Sequence, residues 1–307
     1  MAAGDCATAA VILSIPAMRR AIQISLLVLA PLGVFAAMVA ADRAFGQAGR
    51  GFAYVQKVAL PEAGGEVGLP SVAGPLDASR PLVVIDAGHG GKDPGAGTKA
   101  LYEKDLTLAL GKALRDELLR RGGVRVALTR SDDTYLFPSE RGGIARRIGA
   151  DLFISIHADS TASDSGASGA SVYTLSAKGS SQVAERMAAR ENAADTVNGV
   201  PIGEQNDSVA AILVDLSQRE AQAGSELFAS LLLREAAQRM KFRESAAQSA
   251  AFIVLKSPDT PSVLFEVGYI NNADDAGRLA SAAGREAFAQ TTARAIAVFF
   301  ARQSRGR

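Results

Sequence analysis

The chain has 307 residues, a formal net charge of +1, one cysteine, no tryptophan and two histidines. A near-neutral balance removes the long-range pull that nucleic-acid binding relies on. The lone Cys6 excludes an intramolecular disulfide framework and a cysteine-built zinc finger. With 48% hydrophobic residues, one or two domains with a sizeable core are expected. Any imidazole chemistry must use His89 or His157.

Residues 1–48 read as a targeting segment. Arg19 and Arg20 precede an apolar run from Ala21 to Ala41 with Pro31 inside it. Gly46-Gln47-Ala48 and Val39-Ala40-Ala41 both have the small-x-small form of a cleavage site. Met18, just before the arginines, is the expected translation start. An uncleaved anchor is the alternative, because an apolar run of this length can span a bilayer. Either way the rest of the chain is exported. Residues 49–80, punctuated by Gly64, Gly65, Gly68, Gly74, Pro61, Pro70 and Pro75, are expected to be a flexible linker.

From Pro81 strands and helices alternate. Leu82–Asp86 is a β-branched run, followed by a glycine-rich loop. Residues 103–121 are expected to be a helix with Leu106, Leu110, Leu114 and Leu118 on one face. Val124–Thr129 is a strand, residues 138–149 a helix, Asp151–Ile156 and Ala170–Leu175 strands. A long, mostly helical stretch runs from about Ser180 to Arg243. Phe252–Leu255 and Ser262–Val267 are strands, and residues 284–303 close as a helix. This order predicts an α/β domain, 81–307, with one mixed, largely parallel sheet of about six strands between helices.

Ligands of such sheets collect beyond the carboxyl ends of the strands. The first strand runs into Asp86-Ala87-Gly88-His89-Gly90-Gly91, and the third into His157-Ala158-Asp159. Glu266 lies near the end of a strand bounded by Val263, Leu264, Phe265 and Val267. A carboxylate there needs a partner or a metal. Glu103 opens the helix after the glycine-rich loop; it reads either as a ligand or as an acid favoured by the helix dipole. The loop matches neither G-x-x-x-x-G-K-[ST] nor G-x-G-x-x-G, so its glycines give the backbone room to present His89. Two imidazoles and a carboxylate suit zinc, with a fourth position left for water. His89, Glu103 and His157 supply that set, and Glu266 could take the water's proton: the outline of a metal-assisted amide hydrolase.

These segments resemble a known family. VVIDAGHGGKDPGA, Glu103 in YEKD, Arg141, LFISIHAD and VLKSPDTPSVLFEVGYINN are similar to motifs of the zinc-dependent N-acetylmuramoyl-L-alanine amidases of bacterial cell-wall turnover. The resemblance covers about residues 81–305. It implies one zinc per chain on His89, Glu103 and His157, catalysis by Glu266, and a periplasmic enzyme cutting the amide between the lactyl group of N-acetylmuramic acid and L-alanine in peptidoglycan. Arg141 reads as a substrate-orienting residue or a structural ion pair. A non-catalytic wall-binding module of the same fold and a zinc peptidase acting on another amide remain the alternatives.

The insertion at about 178–243 is longer than a compact domain needs. Residues 181–198 read as a helix. Val209, Ile212, Leu213 and Leu216 fall at i, i+3, i+4 and i+7, and residues 225–241 read as a third helix with Phe228, Leu231, Leu232 and Ala236 on the core. The segment resembles the inhibitory insertion of the division-associated amidases. That resemblance implies that Glu191, in Arg190-Glu191-Asn192-Ala193-Ala194-Asp195, plugs the metal site. It also implies that an activator with a degenerate LytM-type metallopeptidase-like domain withdraws it. The Val209–Leu216 stripe is then the candidate docking helix. Glu191 also reads as a solvated helix acid, and the stripe as ordinary packing.

Overall fold

The computed structural model describes residues 15–45, 68–98, 101–161, 166–197, 200–201, 211–257 and 259–304. It divides into two units, Met1–Gly65 and Glu66–Arg307. The first holds α1 (Ile15–Phe45), with Pro31 inside. Within it Ile22–Ala41 has a mean hydropathy of 2.4, so the helix is long and apolar enough, by length and composition, to cross a membrane.

In the second unit the elements are β1 (Leu82–Ala87), β2 (Gly97–Thr98), β3 (Leu101–Tyr102), α2 (Glu103–Arg121), β4 (Arg125–Leu128), α3 (Pro138–Arg147), β5 (Leu152–Asp159), β6 (Ala170–Leu175), α4 (Gln182–Asn192), β7 (Thr196–Val197), β8 (Val200–Pro201), α5 (Ala211–Ala236), β9 (Phe242–Ala250), β10 (Ser262–Tyr269), α6 (Ala273–Ala280) and α7 (Ala282–Gln303). The main sheet has the order β4-β1-β5-β10-β6-β9. β4, β1, β5 and β10 run parallel, β6 is antiparallel to β10, and β9 is parallel to β6. This is the mixed six-stranded α/β sheet expected from the sequence. β1, β5 and β10 are buried along their whole length, which is why they read as continuous apolar runs rather than alternating ones.

The two-residue period of the strands divides their side chains between two cores. Val83, Ile85, Ile154, Ile156 and Phe265 pack with α2, α5 and α7 on one face. Leu82, Val84, Phe153, Leu264 and Tyr173 pack with Ala145 of α3 and with Ala184, Met187 and Ala188 of α4 on the other. By the same period Asp86, Ser155, His157, Asp159 and Glu266 fall on the second face, at its carboxyl end. The tertiary fold thus brings the two histidines and Glu266 to one edge, under α4.

Several elements differ from expectation. Phe252–Leu255 is not a strand; Ile253–Leu255 is a 3-10 turn, and the last sheet position is β9, ten residues earlier in the chain, an edge strand with mixed exposure. Its sequence, FRESAAQSA, has no β-branched residue, so strand propensity was silent there. The helix expected over 181–198 stops at Asn192 and passes through a 3-10 turn into the β7–β8 hairpin. The two later helices of the insertion are one, α5, with Phe228, Leu231, Leu232 and Ala236 buried as expected. A further helix, α6, precedes α7, and Ser281 between them caps α7 by accepting from Gly284 N. Within the segment expected as a linker, Ala73 pairs antiparallel with Val126 through two 2.8 Å backbone hydrogen bonds, which covers the outer edge of β4.

Candidate metal centre and the helix that covers it

His89 follows β1 in the left-handed conformation, φ 59°, the only non-glycine residue with positive φ among the described residues. Such a backbone costs about 1–3 kcal/mol and persists only where its surroundings over-determine it. Here they do. Arg141 Nη2 donates to the His89 carbonyl at 2.8 Å, and its Nη1 donates to Ala87 O at 2.7 Å. Arg130 Nε donates to Ala87 O at 2.8 Å and its Nη2 to Gly88 O at 2.9 Å. Asp93 Oδ2 accepts from His89 Nδ1 at 2.8 Å, which leaves Nε2 to face inward.

Arg141 braces the backbone around His89. It is 3% exposed, and its remaining donors go to Asp86 Oδ1 at 3.0 Å and to Leu136 O. Arg141 thus makes a buried ion pair with Asp86, and it also lines the cleft that His89, His157 and Glu191 share.

Glu103 reaches back from the first residue of α2. Its Oε2 accepts from Ala96 N at 2.8 Å and its Oε1 from Ala158 N at 2.9 Å. The same Oε1 lies 3.1 Å from His89 Nε2 and 3.2 Å from His157 Nδ1. Glu191 of α4 arrives from above: its Oε2 is 3.5 Å from His89 Nε2 and 3.3 Å from His157 Nδ1. Yet neither ring nitrogen has a hydrogen bond of acceptable geometry, although both are buried. Four donors placed 2.0–2.2 Å from a tetrahedral ion would stand about 3.3–3.6 Å apart. The observed separations, 3.1–3.5 Å, lie in or slightly below that range, and His89, His157 and Glu191 form a group that could hold a metal.

Burial opposes charge on every member of this cluster, but the opposite charges win. Glu103 is held well below the usual carboxylate range by the two imidazoles. Against its own burial, His89 is raised to about 9 by Glu103 and Asp93, and His157 is raised by Glu191 and Glu103. Carboxylates and imidazoles therefore hold one another in their charged forms. Glu266 behaves oppositely. Burial, with Asp159 adding to it, pushes its carboxyl well above the usual range. It is fully buried and neither of its oxygens has a hydrogen-bond partner. In the sheet it pairs directly with His157. A carboxyl tuned upward beside two imidazoles that could hold a metal suits proton transfer.

The placement of Glu191 follows from α4's sequence. Ala184, Met187, Ala188 and Glu191 are the buried positions of that helix, the i, i+3, i+4, i+7 stripe of an amphipathic helix. A carboxylate thus occupies a core-facing position. Asn192 fastens the helix end: Nδ2 donates to Ala251 O and Oδ1 accepts from Ile253 N, both at 2.8 Å. Tyr135 Oη donates to Ala194 O at 2.6 Å. Of the expected docking stripe, Val209 lies outside the described residues, and Ile212, Leu213 and Leu216 fall in the first turns of α5.

Sequence reasoning missed Asp86, Asp93, Arg130 and Arg190. The Asp-Pro pair in GGKDPGA was a signal for Asp93, four residues after His89. Arg130 had none, because its partners are chiefly carbonyls of β1, the loops around it and α2, brought together by the fold.

Over residues 83–298 the chain matches the family described as N-acetylmuramoyl-L-alanine amidase. It is 39% identical over 221 residues to N-acetylmuramoyl-L-alanine amidase AmiA of Escherichia coli K12, covering 71% of this chain and 76% of that protein. It is 34% identical over 226 residues to AmiC of Escherichia coli O6:H1, covering 72% of this chain and 54% of AmiC. Among solved structures, N-acetylmuramoyl-L-alanine amidase AmiC2 of Nostoc punctiforme matches with a TM-score of 0.51 and 30% identity, covering 72% of this chain and 97% of that one. The catalytic domain of CwlV from Bacillus (Paenibacillus) polymyxa var. colistinus matches with a TM-score of 0.52 and 26% identity, covering 72% and 98%.

Proposed function

The chain belongs to the N-acetylmuramoyl-L-alanine amidase family, and from that membership we propose how its own residues perform the reaction. It is a peptidoglycan hydrolase, cutting the amide between the lactyl group of N-acetylmuramic acid and L-alanine of the stem peptide. His89, Glu103 and His157 hold one zinc ion. When bound, zinc lowers the pKa of a water and polarises a carbonyl. Glu266 takes the proton of the attacking water on a carboxylate oxygen and delivers it to the leaving amine nitrogen of L-alanine. Arg141, Arg130 and Asp93 keep His89 aimed. The observation that carries this reading is the convergence of His89 Nε2 and His157 Nδ1 on one carboxylate oxygen of Glu103, without hydrogen bonds.

Glu266→Gln tests it. Release of stem peptides with free L-alanine amino termini from purified sacculi is expected to fall by about 10²–10⁴-fold while one zinc per chain stays bound. Retained turnover would remove Glu266 from the mechanism. Products with other amino termini would favour a peptidase acting elsewhere.

Glu191 is the inhibitory plug: a buried carboxylate aimed at both imidazoles leaves no room for substrate at that position. An activator with a degenerate LytM-type metallopeptidase-like domain draws α4 away, and the start of α5, with Ile212, Leu213 and Leu216, is its docking element. The apolar α1 serves as the export signal to the periplasm. Glu191→Ala is expected to raise basal turnover of sacculi without activator, and an unchanged rate would count against the plug.

A further inference from the structure

Adjacent residues on a helix project about 100° apart and do not face one another. Arg190 and Glu191 of α4 break that expectation. Arg190 folds back so that Nε and Nη2 both donate to Glu191 Oε1, at 3.0 and 2.8 Å. Its third nitrogen, Nη1, donates to Ser160 O at 3.1 Å and Ser160 Oγ at 3.2 Å, and lies 3.5 Å from Asp159 Oδ1. One guanidinium thus spans from the plug carboxylate to the carboxyl end of β5, just beyond His157.

We propose that Arg190 is the clasp of the plug, a positioning residue that decides which oxygen of Glu191 meets the metal centre and holds it there. This rests on the reading of Glu191 as an inhibitory ligand. With Oε1 taken by Arg190, only Oε2 is presented to His89 and His157. The carboxylate rotamer is locked by a planar fork, which a lysine ammonium cannot reproduce because it is a single point charge. The seat of the helix does not depend on this clasp. Ala184, Met187 and Ala188 pack into the core, and Asn192 is bonded at both ends of its amide to the 251–253 backbone. Asp159 is not abandoned when Arg190 is removed, since it still accepts from Ser160 N and faces Arg243 at 3.7 Å. Removing the guanidinium should therefore free the carboxylate while leaving the fold in place.

The test uses the full chain loaded with zinc, with two readouts: basal turnover of purified sacculi without activator, and zinc affinity measured by competition with a chromophoric chelator. Glu191→Ala sets the fully unplugged values. Arg190→Ala is expected to recover most of that rise in turnover and to weaken zinc binding about tenfold, the lower end of what loss of a ligand's supporting contact costs. Arg190→Lys is expected to fall between Arg190→Ala and the wild type in both. In the Glu191→Ala background, Arg190→Ala should change neither readout, because a clasp with nothing to hold has no effect. If Glu191→Ala raises turnover but Arg190→Ala leaves turnover and affinity at wild-type values, the clasp is refuted and the plug stands. If Arg190→Ala lowers turnover in the Glu191→Ala background, Arg190 serves the open enzyme or the fold, and the clasp is refuted. If Glu191→Ala itself changes nothing, the plug reading falls and the clasp with it.

Discussion

At residue 88 the absence of one methyl decides whether the two imidazoles share a site. A Cβ built on Gly88 would stand 2.5 Å from both Cε1 and Nε2 of His157, inside any van der Waals contact. Gly95 is comparably placed: it has φ +65°, and a Cβ there would meet His89 Cδ2 at 2.6 Å and Glu103 Oε2 at 2.7 Å. Gly88→Ala is therefore expected to push His157 out of position and to abolish tight zinc binding. The secondary structure should stay intact; stoichiometric zinc by metal analysis would contradict this. Beneath the site Asp86 is buried and accepts from Arg141 Nη1 at 3.0 Å, Thr129 Oγ1 at 2.6 Å and Ser155 Oγ at 2.7 Å. Burial raises its pKa, but Arg141 and the two hydroxyls outweigh that and hold it below its ordinary value of 3.8. A folded pKa below the unfolded one means the stabilisation is fully present above pH 3.8 and is lost as pH falls through the folded value. Asp86→Asn leaves a buried guanidinium uncompensated, at a cost of about 3–5 kcal/mol. Denaturant unfolding should show that deficit at neutral pH, and the gap to wild type should narrow only below pH 3.8. The histidines and Glu266 were legible in the sequence because chemistry-bearing residues at the ends of apolar strands stand out by position. Arg141 was legible only as an ion pair or a substrate contact, and Arg130 not at all, because most of their acceptors are backbone carbonyls that only the fold brings together.

At the scale of elements, α4 is the least self-sufficient part of the site. At 11 residues it is too short to be stable alone, so its position depends on what its buried stripe contributes. Met187, 6% exposed, is the largest apolar residue in that stripe. Met187→Ala is expected to weaken docking by about 2–5 kcal/mol and so to raise basal turnover of sacculi without activator. A folded variant with wild-type basal turnover would show that α4's packing does not restrain the enzyme. Helix and strand identity was legible where the hydrophobic period ran uninterrupted: α2 keeps its apolar face from Leu106 to Leu118 and has the bounds the period predicts. It was not legible at β9, whose polar, alanine-rich sequence becomes a strand because β6 offers it a ladder. The apolar Phe252–Leu255 turns instead of extending, because its side chains fill the core beneath α3 and α4. Local propensity loses to tertiary pairing in both places.

Over the whole molecule, the metal ligands proposed here come from the β1 loop, α2 and β5, with a fourth group from α4, and they are separated by long stretches of chain. An ion held by all of them binds only the folded state, so it stabilises by RT ln(1 + [L]/Kd), about 2.7 kcal/mol at a hundredfold excess over Kd. Chelator-treated protein is expected to melt at a lower temperature, with the loss restored by zinc in a concentration-dependent way. A melting temperature unmoved by chelation would mean that these elements do not share an ion. The sequence by itself determined the fold class, because buried parallel strands and amphipathic helices write their periods directly into the chain. It also determined which residue types could do chemistry, because a protein with two histidines has few ways to hold a metal. Only the tertiary structure decided that Arg141 and Arg130 brace a strained histidine, that Arg190 grips its own neighbour, and that a carboxylate from the insertion points at both imidazoles. Those facts depend on distances between residues far apart in the chain, or on side-chain conformations imposed by what surrounds them.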